Sequence, residues 1–376
     1  MKLFKSLLVA PATLGLLAPL PGFSSELNFQ AISNYSDADE YEVDSNSFNY
    51  SSTNRTLLSG GEGLVESDFS DSFSSTTSAS FSAEAILGGV STEIDGVSEA
   101  VSFDYQYQIG LTSSFTGEDS LDVTIDVGGP TDTAANNSTS ATFFAMDTTN
   151  DALVVDGITY TFPVGSATML VGDSTDASAL YTGACAYSGF GDYMTNCGTG
   201  NSIGIGSAGA TVAASYAFDG GFTLAGGITS PNAEILGEGG VDGYGIEAAY
   251  TADDYGVSIA FSDVEVSSYT GINAFYSFDF ATLSAGYESE DIDAGGDASG
   301  FFIGLTKEVG PGTAEIGYLS TDMIAFDGMA GETGYAYEAS YAYPVNDALT
   351  ITPGLSIVDI DAGETTVAAI KASFSF

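Results

Sequence analysis

The 376-residue sequence has no histidine, no tryptophan and only 5 Lys plus Arg against 51 Asp plus Glu, a formal net charge of −46. Without histidine the commonest general base and metal ligand is missing, which excludes Ser-His hydrolysis and histidine-held zinc. No catalytic residue, cofactor or metal centre is expected. So few cations also exclude nucleic acid as a partner, because phosphates must be neutralised by Lys and Arg. Charged residues make up only 15% of the chain, against about 25% in ordinary soluble domains. Proline is scarce at 9, whereas 24 Phe, 21 Tyr and 47 Gly are material for extensive sheet rather than for a solvated, disordered chain. Helical periodicity is missing from residue 101 onward, and no apolar run is long enough to span a bilayer as a helix.

The first residues read as a targeting segment. Lys2 and Lys5 precede an apolar stretch from Leu7 to Leu20 that Pro11 and Pro19 interrupt, and Gly22 and Ser24 stand at minus three and minus one of a cleavage site. Residues 1–24 are therefore expected to be a signal peptide, residues 25–74 an acidic polar segment, and residues 75–376 the folded domain. Past the leader, the cations are Arg55, Lys307 and Lys371.

From Val101 the pattern becomes strict alternation. Val101, Phe103, Tyr105, Tyr107, Ile109 and Leu111 are apolar, with polar or small residues between them. Period two means strand, one face apolar and the other polar. The pattern recurs at Tyr244–Tyr250, Ile272–Phe278, Phe301–Leu305, Tyr335–Tyr343 and Leu349–Ile357. Tight turns alternate with longer polar loops, the rhythm of a membrane barrel with short turns at one rim and long loops at the other.

Reading that rhythm along the chain predicts strands at Thr76–Gly88, Ala100–Ser114, Ser120–Gly128, Asp151–Phe162, Ser166–Gly172, Ile203–Phe218, Phe222–Thr229 and Tyr244–Thr251. The remaining eight are Gly256–Asp263, Tyr269–Asp279, Thr282–Ser289, Ser299–Lys307, Gly312–Leu319, Thr333–Tyr343, Ala348–Val358 and Thr365–Phe376. The expected fold is all-β, a transmembrane antiparallel up-and-down barrel of about 16 strands. Two segments fit poorly. Ser166–Gly172 is short, and Asp156 falls on the face otherwise held by Val154, Ile158 and Tyr160. The final strand places Phe374 and Phe376 on one face with Ile370, and Lys371, Ser373 and Ser375 on the other. It resembles the terminal strand that outer-membrane assembly machinery recognises, so Phe374 and Phe376 are the expected assembly signal and outer-membrane lipid the expected surroundings.

The leader MKLFKSLLVAPATLGLLAP, the turn SFTGEDSLDV (Ser114 to Val123), the hairpin ITYTFPVG (Ile158 to Gly165) and the terminal KASFSF together resemble the outer-membrane porins of cyanobacteria, which are distantly similar to carbohydrate-selective porins. The resemblance runs from about Ser75 to Phe376. Members of that family commonly carry an N-terminal surface-layer-homology segment and a coiled coil. Residues 26–70 depart from that pattern, being acidic and rich in Ser and Asn.

A barrel of sixteen strands encloses water. By parity its lumen would receive Asp104, Gln106, Gln108, Asp122, Asp126, Glu247, Glu288, Glu315, Glu338 and Lys371. Acids dominate that wall, and carboxylate rings favour cations. The expected function is a passive channel for small hydrophilic solutes with a cation preference; the alternative is an occluded barrel acting as a surface receptor or adhesin. Cys185 and Cys197 lie in the longest loop, Gly172–Ser202. In an exported, oxidising setting a bridge between them would stabilise that loop by about 3 kcal/mol. If this loop folds inward, Tyr187, Phe190, Asp192 and Tyr193 are the constriction candidates. Acidic runs such as Asp359–Glu364 lack the spacing of a calcium loop and read as solvated loops. A homotrimer is expected by analogy with sixteen-stranded porins.

Overall fold

The computed structural model describes residues 77–93, 101–129, 143–205, 208–231, 235, 242–293, 296–326, 329–361 and 363–376. The expected signal peptide, the acidic segment 25–74 and Arg55 lie outside the described residues, as do positions 130–142 of the loop after the third strand.

Sixteen strands form one closed barrel in which every neighbour is antiparallel. They are β1 (Thr77–Thr92), β2 (Val101–Ser113), β3 (Ser120–Gly128), β4 (Val154–Val164), β5 (Ala167–Thr175), β6 (Gly209–Ala217), β7 (Phe222–Ser230) and β8 (Gly243–Thr251). Then follow β9 (Tyr255–Asp263), β10 (Ser267–Phe278), β11 (Ala281–Ile292), β12 (Asp297–Val309), β13 (Gly312–Phe326), β14 (Met329–Asn346), β15 (Leu349–Ile360) and β16 (Gly363–Ser375). The seam between β1 and β16 runs from Ser82 opposite Ser375 to Thr92 opposite Thr365. Phe81 and Phe376 extend it by exchanging backbone hydrogen bonds of 2.8 and 3.0 Å. Closure leaves the sheet no edge on which another strand could pair.

One face of the ring is apolar and uncovered. Tyr244, Ile246, Tyr287, Phe301, Ile303, Ile316 and Tyr337 are all exposed, while their neighbours in sequence turn to the other side and are buried. Such a surface is unfavourable in water and favourable in hydrocarbon. Toward the short-turn rim rings gather in pairs: Tyr216 with Phe218 at 4.5 Å, Phe222 with Tyr250 at 4.6 Å, and Tyr276 with Phe278 at 4.6 Å. That is the position of an interfacial aromatic belt, built from Tyr and Phe in a chain without Trp. Among the described residues, no helix is long and apolar enough to cross a membrane.

The poorly fitting segments resolve locally. Between β3 and β4, Thr124 faces Gly157 and Ile125 faces Val155, so Asp156 is the extra residue of a β-bulge. The bulge resets the alternation there, which removes the conflict over the face. The strand expected from Ser166 to Gly172 runs on to Thr175. The strand expected from Ile203 begins instead at Gly209, because residues 200–205 belong to an infolded segment.

Candidate functional site: the lumen and its infolded segments

The polar face of the barrel is inside, and two connections fold onto it. The larger follows β5. It opens with a short 3-10 turn, Ala177–Leu180, whose first amides are held by Asp176, which accepts from Ser178 N at 2.7 Å. Ala177 N then donates to Thr229 Oγ1 on β7 at 2.9 Å.

From residue 181 to residue 191, before a 3-10 stretch at Asp192–Gly198 and a short helix at Gly200–Ile203, the backbone lies outside helix and strand, and buried amides need acceptors. Glutamates of the wall supply them. Glu247 on β8 accepts from Thr182 N and Gly183 N at 2.7 and 2.9 Å. Glu315 on β13 accepts from Ser188 N at 3.1 Å. Glu338 on β14 accepts from Tyr187 OH, Phe190 N and Gly191 N at 2.7, 2.7 and 3.1 Å. The chain reaches β15, where Tyr193 OH meets Ser356 Oγ at 2.6 Å, and turns back. Asn196 and Cys197, both with left-handed backbone, mark the reversal.

The returning limb is held the same way. Thr199 meets Asn273 on β10, and Glu288 on β11 accepts from Ser202 N at 2.5 Å and Asn201 Nδ2 at 3.0 Å. Ser262 on β9 donates to Asn201 O at 2.8 Å. The disulfide between Cys185 and Cys197 ties the outgoing limb to the returning one.

Apolar contacts complete the seat. Tyr187, Met194 and Cys197 pack on Phe302, Leu319, Ala336 and Val358, with the Tyr187 and Phe302 rings 4.9 Å apart. Phe190 packs with Ile86, Val367 and Ala369 at the seam and with Phe143 and Met146 of the second infolded segment, the part of the β3–β4 connection from residue 143. Each fully buried large side chain contributes about 1.5–3 kcal/mol. Two inward glycines make the approach possible: a Cβ on Gly286 would lie 2.0 Å from Cys197 O, and one on Gly354 would lie 2.4 Å from the Phe190 ring. Burial, then the Glu338 carboxylate beside it, pushes the Tyr187 phenol far above its ordinary value, so it stays protonated and donates.

The structure therefore divides the residues expected along the lumen. Glu247, Glu288, Glu315 and Glu338 are on the inner face but buried beneath the segment. Asp126 is buried as well, with Asp147 of the second segment beside it. Asp104, Gln106, Gln108, Asp122 and Lys371 keep partial or full exposure. Gln106 bridges Glu84 and Asp147 N at 3.0 Å each, and Lys371 Nζ lies 3.8 Å from Glu84 Oε1.

Of the constriction candidates, Tyr187 and Phe190 turn into the wall and are buried, Tyr193 is half-buried and Asp192 is exposed. The segment's exposed edge is Thr182, Ala186, Ser188, Asp192, Asn196 and Asn201. Phe374 and Phe376 stand at the seam on the short-turn rim.

Sequence reasoning missed the inner apolar residues Ile86, Phe302, Leu319, Val358 and Val367. The signal was present in adjacent apolar pairs such as Phe301-Phe302, Tyr318-Leu319 and Ile357-Val358, where both faces of a strand are covered.

The sector from β2 to β5 differs. Gln108, Thr112, Asp122, Thr124, Thr159, Thr161 and Thr168 face inward there with partial or full exposure. Asp122 accepts from Thr112 and Ser120 at 2.7 and 2.6 Å. At the base of this sector Asp119 accepts from Phe115 N, Thr116 N, Ser114 Oγ, Thr116 Oγ1 and Tyr160 OH. Burial pushes the Asp119 carboxyl upward, but the Thr116 amide and three hydroxyls outweigh it and hold the group well below the usual carboxylate range.

No protein-family model and no curated protein matches the sequence. Solved structures do match. OprB of Pseudomonas putida, in a structure determined at high pH, is 11% identical with a TM-score of 0.59, over 80% of this chain and 94% of that one. A loop-deleted form of OmpT, an outer-membrane protein of Vibrio cholerae, is 12% identical with a TM-score of 0.57, over 80% of this chain and all of that one. An anion-selective porin from Comamonas acidovorans is 13% identical with a TM-score of 0.56, over 80% and 99%. At such identities the likeness establishes the architecture: this chain has the fold of outer-membrane porins.

Proposed function

We propose that the protein is a passive, water-filled outer-membrane channel for small hydrophilic solutes and ions, with a preference for cations and no catalytic step. The observation that carries this reading is the charge of the uncovered lumen. Asp122 and Asp192 are exposed to it at least in part, whereas Lys371 is paired with Glu84, and Lys307, the other described cation, shares the outer face with Ile303. The infolded segment supports the same reading, because it lies along the wall from β5, where Leu170 packs on Ala177 and Ile205, round to β15, while Gln108, Thr112, Asp122, Thr124, Thr159, Thr161 and Thr168 keep partial or full exposure on the inner face of β2–β5. Porin neighbours support the location.

The test is planar-bilayer conductance of the folded protein under a potassium chloride gradient. Stable steps with a reversal potential favouring K⁺, shrinking as salt rises because the screening length falls below about 8 Å, are expected. A folded, heat-modifiable protein that never conducts would overturn the reading in favour of an occluded receptor barrel.

A further inference from the structure

Lys307 on β12 stands apart from the other charges of the chain. It lies on the outer face with Ile303 and Leu305, is exposed, and forms no ion pair with another described residue. Its neighbour Glu308 turns to the inner face, where Thr313 Oγ1 donates to it at 2.9 Å. Lys371 is inside the barrel and paired with Glu84. In a chain of net charge −46, Lys307 is thus the one described cation that the outer face presents.

A second, independent observation is the shape of the surface beside it. An apolar groove of about 430 Å³ crosses the outer face from β11 to β15. Its course follows the strand pairing: Leu283 is opposite Leu305, Leu305 opposite Ile316, Ile316 opposite Ala339, and Ala339 opposite Leu355. Ala339 is the small residue of that row, set between Tyr337 and Tyr341 along β14. Lys307 follows Leu305 on the same face, two residues or roughly 7 Å nearer the short-turn rim. There it is opposite Ala314, and Ala314 is opposite Tyr341. The Tyr341 ring is drawn away toward Gly312, where its hydroxyl donates to Val309 O at 2.8 Å. Only the methyl group of Ala314 stands between that ring and Lys307, so the groove is open toward the lysine.

We propose that this groove seats an acyl chain of one anionic phospholipid, whose phosphate is held by Lys307. The inference rests on the outer-membrane setting proposed above, in which the short-turn rim lies in the leaflet facing the periplasm. Lys307 is then at the depth of the aromatic belt, where headgroups lie. Its aliphatic stem packs along the apolar wall while the ammonium reaches the polar layer. The two features do different work. One hydrocarbon chain replaces another on an apolar wall with little gain, so the groove sets where a chain lies but not which lipid carries it. The lysine supplies the choice, because a basic side chain near the membrane surface attracts anionic headgroups and leaves neutral ones indifferent. A free phosphate has no chain for the groove, and the many acids of the chain repel it from the rest of the surface.

The experiment is native mass spectrometry of the folded, heat-modifiable protein in nonionic detergent, mixed with equal amounts of phosphatidylglycerol and phosphatidylcholine carrying the same chains. One retained lipid is expected, with phosphatidylglycerol favoured about fivefold. Lys307→Gln should bring that ratio close to one, Lys307→Arg should keep it, and Lys371→Gln, the same charge change inside the barrel, should leave it unaltered. Ala339→Phe should lower retention of both lipids. If Lys307→Gln fails to fold, salt decides on the parent alone, since the preference should shrink as potassium chloride is raised. A parent without preference, a preference unchanged in Lys307→Gln or indifferent to salt, or a second copy of the chain in place of lipid overturns the proposal. Conductance separates it from the channel reading: a conducting barrel without the preference overturns this site alone, and a barrel with the preference that never conducts overturns the channel alone.

Discussion

The inner wall of this barrel has two kinds of surface. From β8 round to β15 it is covered: buried glutamates, inward glycines and apolar side chains such as Phe302 and Leu319 hold a folded-back segment. From β2 to β5 it is open in part: Gln108, Thr112, Asp122, Thr124, Thr159, Thr161 and Thr168 keep partial or full exposure, while Asp126 is buried beside Asp147 and Leu170 packs on Ala177 and Ile205. An acid therefore does two different jobs in one wall. Under the segment it accepts hydrogen bonds from backbone and carries shape; in the open sector it presents charge to whatever passes. Counting acids along the lumen conflates the two.

The sharpest test of this contrast is Glu338→Ala. It strands three donors in a space closed to water, each costing about 1–3 kcal/mol when unsatisfied, so the middle of the segment should leave the wall. Larger and noisier conductance steps from a barrel that remains heat-modifiable are expected; unchanged steps would show that the covered sector needs no anchor. Next in size is reduction of the Cys185–Cys197 bridge, which removes about 3 kcal/mol of constraint in the chain-entropy model. Protease sensitivity confined to residues 176–205, with the barrel intact, should report it.

A smaller effect belongs to the rim beneath the open sector. The Asp119 carboxyl is held below its ordinary range in the fold, so its stabilisation is complete above the unfolded aspartate value of about 3.9. It is lost as pH falls through the lower folded value. Asp119→Asn should therefore lower the heat-modification temperature at neutral pH, and the two proteins should converge only in strong acid. Smallest is Asp122→Asn, on the open part of the wall. It should move the reversal potential toward zero at low salt and hardly at all at high salt, where screening already hides the charge. An equal shift from Glu338→Gln would break the distinction between anchoring and facing acids.

What was legible in the sequence follows from the pleat. A strand's side chains must alternate, so Val101 to Leu111 or Tyr335 to Tyr343 announce both the element and its two faces, and all sixteen strands were recoverable, although β6 starts at Gly209 rather than Ile203 and β13 runs on to Phe326 rather than ending at Leu319. The fate of the loops was not, because folding inward depends on long-range fit: Gly286 must yield to Cys197, and Gly354 to Phe190. A trace of it was written in the spacing. Gly245 with Glu247, Gly271 with Asn273 and Gly286 with Glu288 each place a residue without a side chain two positions from a hydrogen-bonding one on the same inner face. Glycine inside a strand marks close approach of another backbone. The Asp156 conflict was likewise a real signal, of a bulge rather than of a false strand.

The seam has a kinetic side. Glu84 and Ser373, bonded across it at 3.1 Å, are 289 residues apart in sequence, whereas every other strand pair is joined by its own turn or loop. Local hairpins of this kind form early, and non-local pairings arrive late and slowly. Until the seam forms, β1 is paired only with β2 and β16 only with β15, and the outer edge of each is open. Those two strands are the exposed edges through which an unfinished molecule would aggregate or join another copy. The stretch from Ala79 to Val90 and the terminal strand are thus where a folding helper would have most to protect, and where a strand-mimicking peptide would arrest the molecule before it closes.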